Sequence, residues 1–168
     1  MTVQAEKLIE GLADQAGPLA IGIALHMLGD RSQAEDAVQD AFERALRAAG
    51  SLRDPASARS WFLRIVVNSC RRERVVVRRW IRRREETGRA LVQAHAEPTE
   101  TDPPLRARLG SAVRRLPHRQ RAAFVLRYVH GLGIDDMATV LGCAPGTVKA
   151  TIHKAVVKLR RELGDIER

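Results

Sequence analysis

The sequence predicts an all-α protein made of two small helical domains joined by a flexible linker. Apolar residues recur at helical spacing through most of the 168 residues, and no run alternates apolar and polar residues as a half-buried strand would. The stretch TGRALVQAHAEPTETDPP lacks this periodicity and ends in prolines, which is typical of a linker. We therefore expect a first domain over residues 1–86, a linker over 87–104 and a second domain over 105–168.

Three helical segments are predicted in the first domain, the third of them long and basic. The first segment is expected to be interrupted near Gly17 and Pro18, because proline removes a helical hydrogen bond. Ser32 is the candidate N-cap of the second segment, with Glu35 three residues later as its capping-box partner. The Gly, Pro and Ser content of residues 48–58 predicts a loop before the third segment.

Charge is distributed in blocks along the chain, whose formal net charge is +9. Residues 1–49 are acidic (net −4), whereas residues 50–92 (net +8) and 111–168 (net +6) are basic. A strongly basic chain points to a polyanionic partner, and separate basic blocks indicate separate contact surfaces.

Several features favour a cytoplasmic protein with no direct membrane insertion. The two cysteines, Cys70 and Cys143, show no pairing pattern, as expected of reduced thiols. The N-terminus lacks the basic start and apolar run of a signal peptide, and no apolar stretch is expected to reach the ~20 residues of a membrane span.

The last third of the chain has the pattern of a helix-turn-helix. A short helix is predicted over 134–141, Gly142 can end it, and Pro145 fits the first turn of the next helix. On that helix an apolar stripe is predicted to face inward: Val148, Ile152, Ala155, Val156, Leu159 and Leu163. Its N-terminal half presents the other side chains, and this half enters the major groove in the motif class. A plain solvated basic helix is the alternative.

The basic middle segment begins with two adjacent aromatics, Trp61 and Phe62, which lie beside a loop and between arginines. Aromatics next to cations suit single-stranded nucleic acid, because bases stack on rings while arginines follow the backbone. For Phe62 a core position is favoured, whereas Trp61 could be a core residue or a stacking platform. Asn68 could be a surface amide or a group that binds a base edge.

Together these motifs resemble the extracytoplasmic-function sigma factors of bacterial RNA polymerase. The segments LGDRSQAEDAVQDAFERAL and WFLRIVVNSCRRER resemble region two of that family, and LPHRQRAAFVLRYVHGLGIDDMATVLGCAPGTVKATIHKAVVKLRREL resembles region four. The match spans about residues 18–163. The resemblance implies a subunit that binds core RNA polymerase and directs promoter-specific initiation, without catalytic residues, cofactor or metal.

The resemblance also implies three contact surfaces. Duplex −35 DNA would be read by Thr147, Lys149, Ala150, Thr151, His153 and Lys154, supported by Arg119. The −10 element would be melted and held by Arg59, Trp61, Arg64, Asn68, Arg71 and Arg72, with a flipped base received by the loop at 52–60. The clamp helices of the polymerase largest subunit would be bound by Glu35, Asp36, Gln39, Asp40 and Glu43. Two further partners are implied, the flap of the second polymerase subunit and an anti-sigma factor.

Two departures from the family pattern bear on promoter choice. Ala144 stands where the family usually has a serine N-cap, which forgoes about 1 kcal/mol. The chain has KATIHK over residues 149–154 where the family often has KSRLHR, so its −35 preference is expected to be unusual.

Two other functions are consistent with parts of the sequence. A dimeric DNA-binding regulator would explain the helix-turn-helix but leaves the acidic helix and the Trp61 region without a role. A nucleic-acid enzyme would need a catalytic carboxylate or metal constellation, and Asp54, Glu73 and Glu85 are not convincingly arranged for one.

Overall fold

The computed structural model describes residues 3–86 and 103–164. Within these ranges every regular element is helical, which confirms the predicted all-α class. The α-helices are α1 (Val3–Leu28), α2 (Arg31–Ala48), α3 (Ala58–Glu86), α4 (Pro103–Arg115), α5 (His118–Phe124), α6 (Ile134–Leu141) and α7 (Pro145–Gly164). Short 3-10 turns at Ala49–Ser51 and Pro55–Ser57 connect α2 to α3, and a π-helical turn at Val125–Val129 extends α5. Residues 87–102 of the expected linker lie outside the described residues.

Helix α1 runs without a break through Gly17 and Pro18, so the predicted interruption is wrong. Ala16 and Ala20, on either side of this pair, are fully buried. Packing of this stripe holds the helix together across the one hydrogen bond that proline cannot donate.

Helix α1 is also more apolar than expected. By length and composition alone, Ala5–Leu28 could cross a membrane, contrary to the expectation that no such stretch exists. The core helix of a soluble protein passes the same test. The buried residues of α1 contribute to the core that it shares with α2 and α3: Leu12, Ala16, Ala20, Ile23, Ala24 and Met27.

Asp30 caps helix α2, so the predicted capping box at Ser32 is wrong. The Asp30 backbone is extended, and its carboxylate accepts a hydrogen bond of 2.8 Å from the Gln33 amide. Ser32 lies within the first turn of the helix, and Glu35 accepts a hydrogen bond from Arg31 at 2.8 Å instead. Aspartate and serine are comparable N-caps, so the pattern alone allowed either start.

The three helices of the first half share a core in which small and large side chains alternate. Buried positions on α2 and α3 include Ala34, Val38, Ala41, Ala45, Phe62, Val66 and Ser69, and the core position favoured for Phe62 is thereby confirmed. Phe42 packs on Phe62 with ring centroids 4.5 Å apart. The alanine-rich face of α2 lets the helix approach its neighbours closely, since no long side chain intervenes.

A buried guanidinium joins the second half of the chain to the first. The Arg121 side chain is 1% exposed, and its bonded partners among the described residues include no carboxylate. It donates to four backbone carbonyls, those of Val113 (3.1 Å), Leu116 (2.9 Å), Arg114 and, from helix α1, Met27 (2.8 Å). The unpaired carbonyls at the ends of α1 and α4 thereby find a donor, and the partial negative charge there favours a cation.

Further contacts close the second half onto the first. Arg74 of α3 donates to the Arg114 carbonyl at 2.8 Å, and α3 packs against α6. His130, after the π-helical turn, stacks edge-on against His26 of α1 with ring centroids 5.5 Å apart. The buried side chains of both halves therefore form one continuous core.

The Arg121 arrangement predicts a large loss of stability on substitution. Arg121→Met keeps an apolar stem of similar length but leaves several buried carbonyls without a donor. We expect the free energy of unfolding to fall by about 2–4 kcal/mol, measured by urea denaturation. Arg119→Met, two residues away on the exposed surface, is the matched control and should change it by about 0.5 kcal/mol or less. Equal losses in the two variants would contradict the role assigned to Arg121.

Candidate nucleic-acid interface

The helix-turn-helix predicted from the sequence is present, and its turn depends on Gly142. This residue ends α6 with φ +62°, a left-handed conformation that favours glycine. The Gly142 and Cys143 amides donate back to the carbonyls of Thr139 (3.3 Å) and Ala138 (3.0 Å), which closes the helix end. The turn sets α7 off in a new direction with its first turns projecting from the domain.

Helix α7 buries one face and exposes the other, as its sequence predicted. Val148, Ala155 and Leu159 are buried, and Ile152 and Val156 are half-buried. The exposed side chains of the opposite face are those of Thr147, Lys149, Ala150, His153 and Lys154. The face therefore offers two ammonium groups, an imidazole, a hydroxyl and a methyl group to a partner.

Two of the candidate reading residues are already engaged within the chain. Thr151 is half-buried, and its hydroxyl donates to the Thr147 carbonyl at 2.7 Å. Arg119 is exposed and donates to the Leu141 carbonyl at 3.4 Å. At the start of α7, the Ala144 carbonyl accepts from the amides of Thr147 and Val148 at 2.9 and 3.1 Å, without a side-chain cap.

The loop before α3 is a compact turn organised by Asp54. The Asp54 carboxylate accepts from the Ala56 amide at 3.0 Å, and its carbonyl accepts from the Ser57 hydroxyl at 2.8 Å. Beyond the turn, Trp61 is half-buried and packs on the core, so one part of its indole remains accessible. Trp61 is therefore packed on the core, and its role as a stacking platform stays a prediction.

The polar candidates of α3 lie on the exposed surface of the helix. Arg59, Arg64, Asn68, Arg71 and Arg72 are all exposed. The Arg64 guanidinium lies against Gly142 in the turn of the helix-turn-helix, so close that a methyl group there would displace it. The candidate residues for two different DNA elements are therefore neighbours in this structure.

Asp40 and Arg72, expected on two different surfaces, meet at the junction of α2 and α3. Asp40 accepts from Arg44 and from the Ser69 hydroxyl at 2.8 Å, and from Arg72 at 3.4 Å. Burial alone would raise the Asp40 pKa, but the Arg44 and Ser69 hydrogen bonds and the charges of Arg44 and Arg72 bring it below the ordinary value. Asp40 therefore stays ionised and holds Arg72 against α3.

The rest of the acidic face of α2 is open to solvent. Glu35, Asp36, Gln39 and Glu43 are exposed. Glu73 of α3, which sequence reasoning considered only as a catalytic carboxylate, joins this acidic region. Burial, with the charges of Asp36 and Asp40, raises its pKa. Glu73 lies about four turns into a basic helix, and nothing in its local sequence indicates that it neighbours the acidic face of α2.

Among the residues whose side chains the structure describes, carboxylates suited to catalysis do not converge at the basic surface. Asp54 is used within its turn and Glu73 faces α2, while the Glu85 side chain lies outside the described residues. Across residues 3–86 and 103–164, no group of three or more His, Cys, Asp or Glu side chains is arranged to hold a metal ion.

Known proteins with the same pattern fall in one family. The chain matches the family models of Sigma-70 region 2 over residues 12–87 and Sigma-70, region 4 over residues 106–159. The ECF RNA polymerase sigma factor SigM of Mycobacterium tuberculosis (strain H37Rv) is 39% identical over 143 residues, which are 78% of this chain and 64% of that protein. SigL of the same strain is 32% identical over 164 residues, which are 95% of this chain and 90% of that protein.

A solved structure has the same fold. The sigma factor RpoE from Bartonella quintana, in complex with the anti-sigma factor NepR, aligns with a TM-score of 0.69 at 22% identity, covering 92% of this chain and 96% of that one. The match to Sigma-70 region 2 lies in the first helical half of this chain, and the match to region 4 lies in the second. The similarity to SigL extends over nearly the full length of this chain. This chain therefore belongs to the extracytoplasmic-function family of RNA polymerase sigma factors.

Proposed function

We propose that this chain binds core RNA polymerase in the cytoplasm and selects promoters through its two helical halves, without catalytic activity of its own. The observation that carries the proposal is the face of α7, where five side chains project to solvent from a helix whose other face is anchored in the core. A rigid helix is needed there because base readout depends on the position of each donor and acceptor.

The −35 element is the proposed target of α7. Lys149 and Lys154 can bind guanine edges or phosphates, the Ala150 methyl can contact thymine, and Thr147 and His153 add polar contacts. Arg119 is already directed toward the turn by its bond to the Leu141 carbonyl, and its remaining donors suit a phosphate.

The start of α3 is the proposed −10 surface. The compact turn at Asp54 and the half-buried Trp61 border a place where a flipped base can be received, while Asn68 offers an amide to a base edge. Arg72, held by Asp40, supplies a positioned cation for the backbone. Melting would be driven by capture of the opened strand, because binding a flipped base offsets lost stacking and pairing.

The exposed acidic face of α2 is the proposed docking surface for the clamp helices of core polymerase. Glu35, Asp36, Gln39 and Glu43 are exposed and give α2 an acidic surface, whereas the side chains proposed to contact DNA are carried by α3 and α7. Such a surface repels DNA and accepts a basic protein surface, which keeps the two kinds of partner apart.

Regulation by an anti-sigma factor is part of the proposal. The solved relatives RpoE and CnrH are bound to the anti-sigma factor NepR and to the cytosolic domain of CnrY, and both align over more than nine tenths of this chain. A protein that covers the sigma factor in this way would keep it from core polymerase until released.

Promoter binding requires the two halves to separate. Arg71 and Lys154, proposed for different promoter elements, line one cleft in this structure. The −35 and −10 elements are centred about 25 base pairs apart, roughly 85 Å at ~3.4 Å per base pair. A fully extended chain of the length of residues 87–104 spans at most roughly 60 Å, and a small helical domain adds about 30 Å. The chain can therefore reach both elements only in an open arrangement.

Transcription by core polymerase tests the assignment of α7. With a library of promoter fragments, the unmodified chain is expected to direct specific run-off products. Lys149→Ala should lower them about 5- to 100-fold on some promoters and much less on others, as the loss of a base contact does. Arg160→Ala, an equal charge loss further along α7, should weaken all promoters alike.

Two outcomes would contradict this assignment. A uniform loss with Lys149→Ala would make it a phosphate contact only. If the chain, free of any co-purified anti-sigma factor, bound duplex DNA as a dimer but gave no transcripts with core polymerase, a dimeric regulator would replace the sigma function.

Opening can be followed by energy transfer between labels on the two halves. Gly50→Cys and Gly164→Cys place thiols at exposed sites where a side chain meets no neighbour. Cys143→Ser removes the more accessible native thiol, and Cys70 stays unlabelled because burial raises its pKa to about 12. Core polymerase should lower the transfer efficiency of this pair. A control pair within the first half, Gly11→Cys with Gly50→Cys, should not change; an unchanged interdomain pair in the bound complex would contradict opening.

A further inference from the structure

A basic cleft lies where the two halves meet. It has a volume of about 370 Å³ and is lined by Arg71 of α3 from one half, and from the other by Pro117, His118, Arg119, Gln120, Thr151 and Lys154. This volume is in the range of small-molecule sites, which run from about 300 to 1,000 Å³. We refer to it as the interdomain cleft.

The interdomain cleft brings like charges together without a counter-charge. Arg71, Arg119 and Lys154 come from three different helices, and none of the described residues that line the cleft is acidic. Arg74 stands close behind them, with its guanidinium bonded to the Arg114 carbonyl. Charge repulsion across the cleft opposes the closed arrangement, and an anion bound between the cations would remove it.

Two polar atoms in the cleft walls also lack a partner. Within the described residues, His118 Nε2 and Gln120 Oε1 are buried and make no hydrogen bond. A neutral imidazole can donate from Nε2, and a half-turn of the amide would put the Gln120 NH₂ group in place of its oxygen. Both atoms are themselves buried, so an anion in the cleft would reach them only after those side chains turned toward it.

The imidazole of His118 reports the local potential. Its pKa is lowered to about 4 by burial and by the positive charges of Arg71, Arg74 and Arg119. At neutral pH His118 is therefore uncharged. The electrostatic surroundings disfavour one more cation, and the same surroundings favour an anion.

We propose that the interdomain cleft binds a small anion with two or more phosphate groups, of the pyrophosphate type, and that its binding stabilises the closed arrangement. The cations that would hold it are divided between the two halves, so the complete site exists only when the halves are together. A ligand that binds one arrangement alone shifts the population toward it. The proposal extends the proposed function, since Arg71, Arg119 and Lys154 would be withheld from DNA while the anion is bound.

Pyrophosphate binding by the full-length chain is the direct test. Isothermal titration calorimetry, in chloride buffer at constant ionic strength, should show one saturable site. Arg119→Gln or Lys154→Gln should weaken binding at least about tenfold, whereas Arg160→Gln, an equal charge loss on α7 outside the cleft, should leave it within about twofold. In parallel, NMR titration of the His118 ring should show its pKa rising when pyrophosphate is present, because the bound anion offsets the neighbouring cations.

The labelled pair at Gly50 and Gly164 tests the link to closure. Pyrophosphate should keep the transfer efficiency of this pair at the value of the closed form. A higher concentration of core polymerase should then be needed to lower that efficiency. An equal response to chloride or sulfate at matched ionic strength would show charge screening alone and overturn the proposal.

The phosphates of DNA could occupy the interdomain cleft in place of a small anion. Binding of a short duplex without promoter sequence distinguishes these two ligands. If Arg119→Gln weakened binding of the duplex while pyrophosphate did not bind, the cleft would be part of the DNA surface only, and the proposal would be wrong. Run-off transcription without pyrophosphate tests the sigma function separately. Failure of the anion-binding proposal therefore does not imply failure of the sigma function, and the reverse also holds.

Discussion

The closed arrangement of this protein depends on one buried guanidinium. Where the structure describes its surroundings, Arg121 has no carboxylate partner, and its charge is offset by carbonyls at the ends of α4 and α1. Burying a cation costs several kcal/mol unless its donors are satisfied, which explains why four carbonyls converge on it. The position of α5, and through it of the helix-turn-helix, follows from that requirement. The halves also approach closely where Gly22 of α1 faces His130 of the second half. A Cβ on Gly22 would lie 2.9 Å from the His130 ring.

Local features of this fold were predictable because they depend on periodicity and turn chemistry. The inward stripe of α7, the helical faces of α2 and α3, and the left-handed Gly142 all follow from residues close in sequence. Two of the wrong expectations have separate causes. At Pro18 packing against other helices overrides a local preference, and at the start of α2 Asp30 and Ser32 are equally suited to cap the helix.

Features of the candidate site that join distant residues could not be predicted. Asp40 and Arg72 lie 32 positions apart, and their charges suggested a protein surface and a DNA surface rather than a mutual contact. Arg121 was overlooked in favour of Arg119, because arginine in a basic segment indicates an exposed contact. Only the fold shows that Arg121 is 1% exposed whereas Arg119 reaches solvent. The convergence of Arg71 with Lys154 likewise depends on how the halves pack.

The division of the Arg121 contacts suits the opening proposed above. Three of its four carbonyl acceptors, on Val113, Arg114 and Leu116, belong to its own half of the chain. Only the bond to Met27 crosses to the other half, and the other three hold α5 to the end of α4 whether or not the halves are together. Separation would break this bond, the Arg74–Arg114 hydrogen bond and the packing of the core that the two halves share. Repulsion among the cleft cations would offset part of that cost, and binding to polymerase and DNA would have to supply the rest.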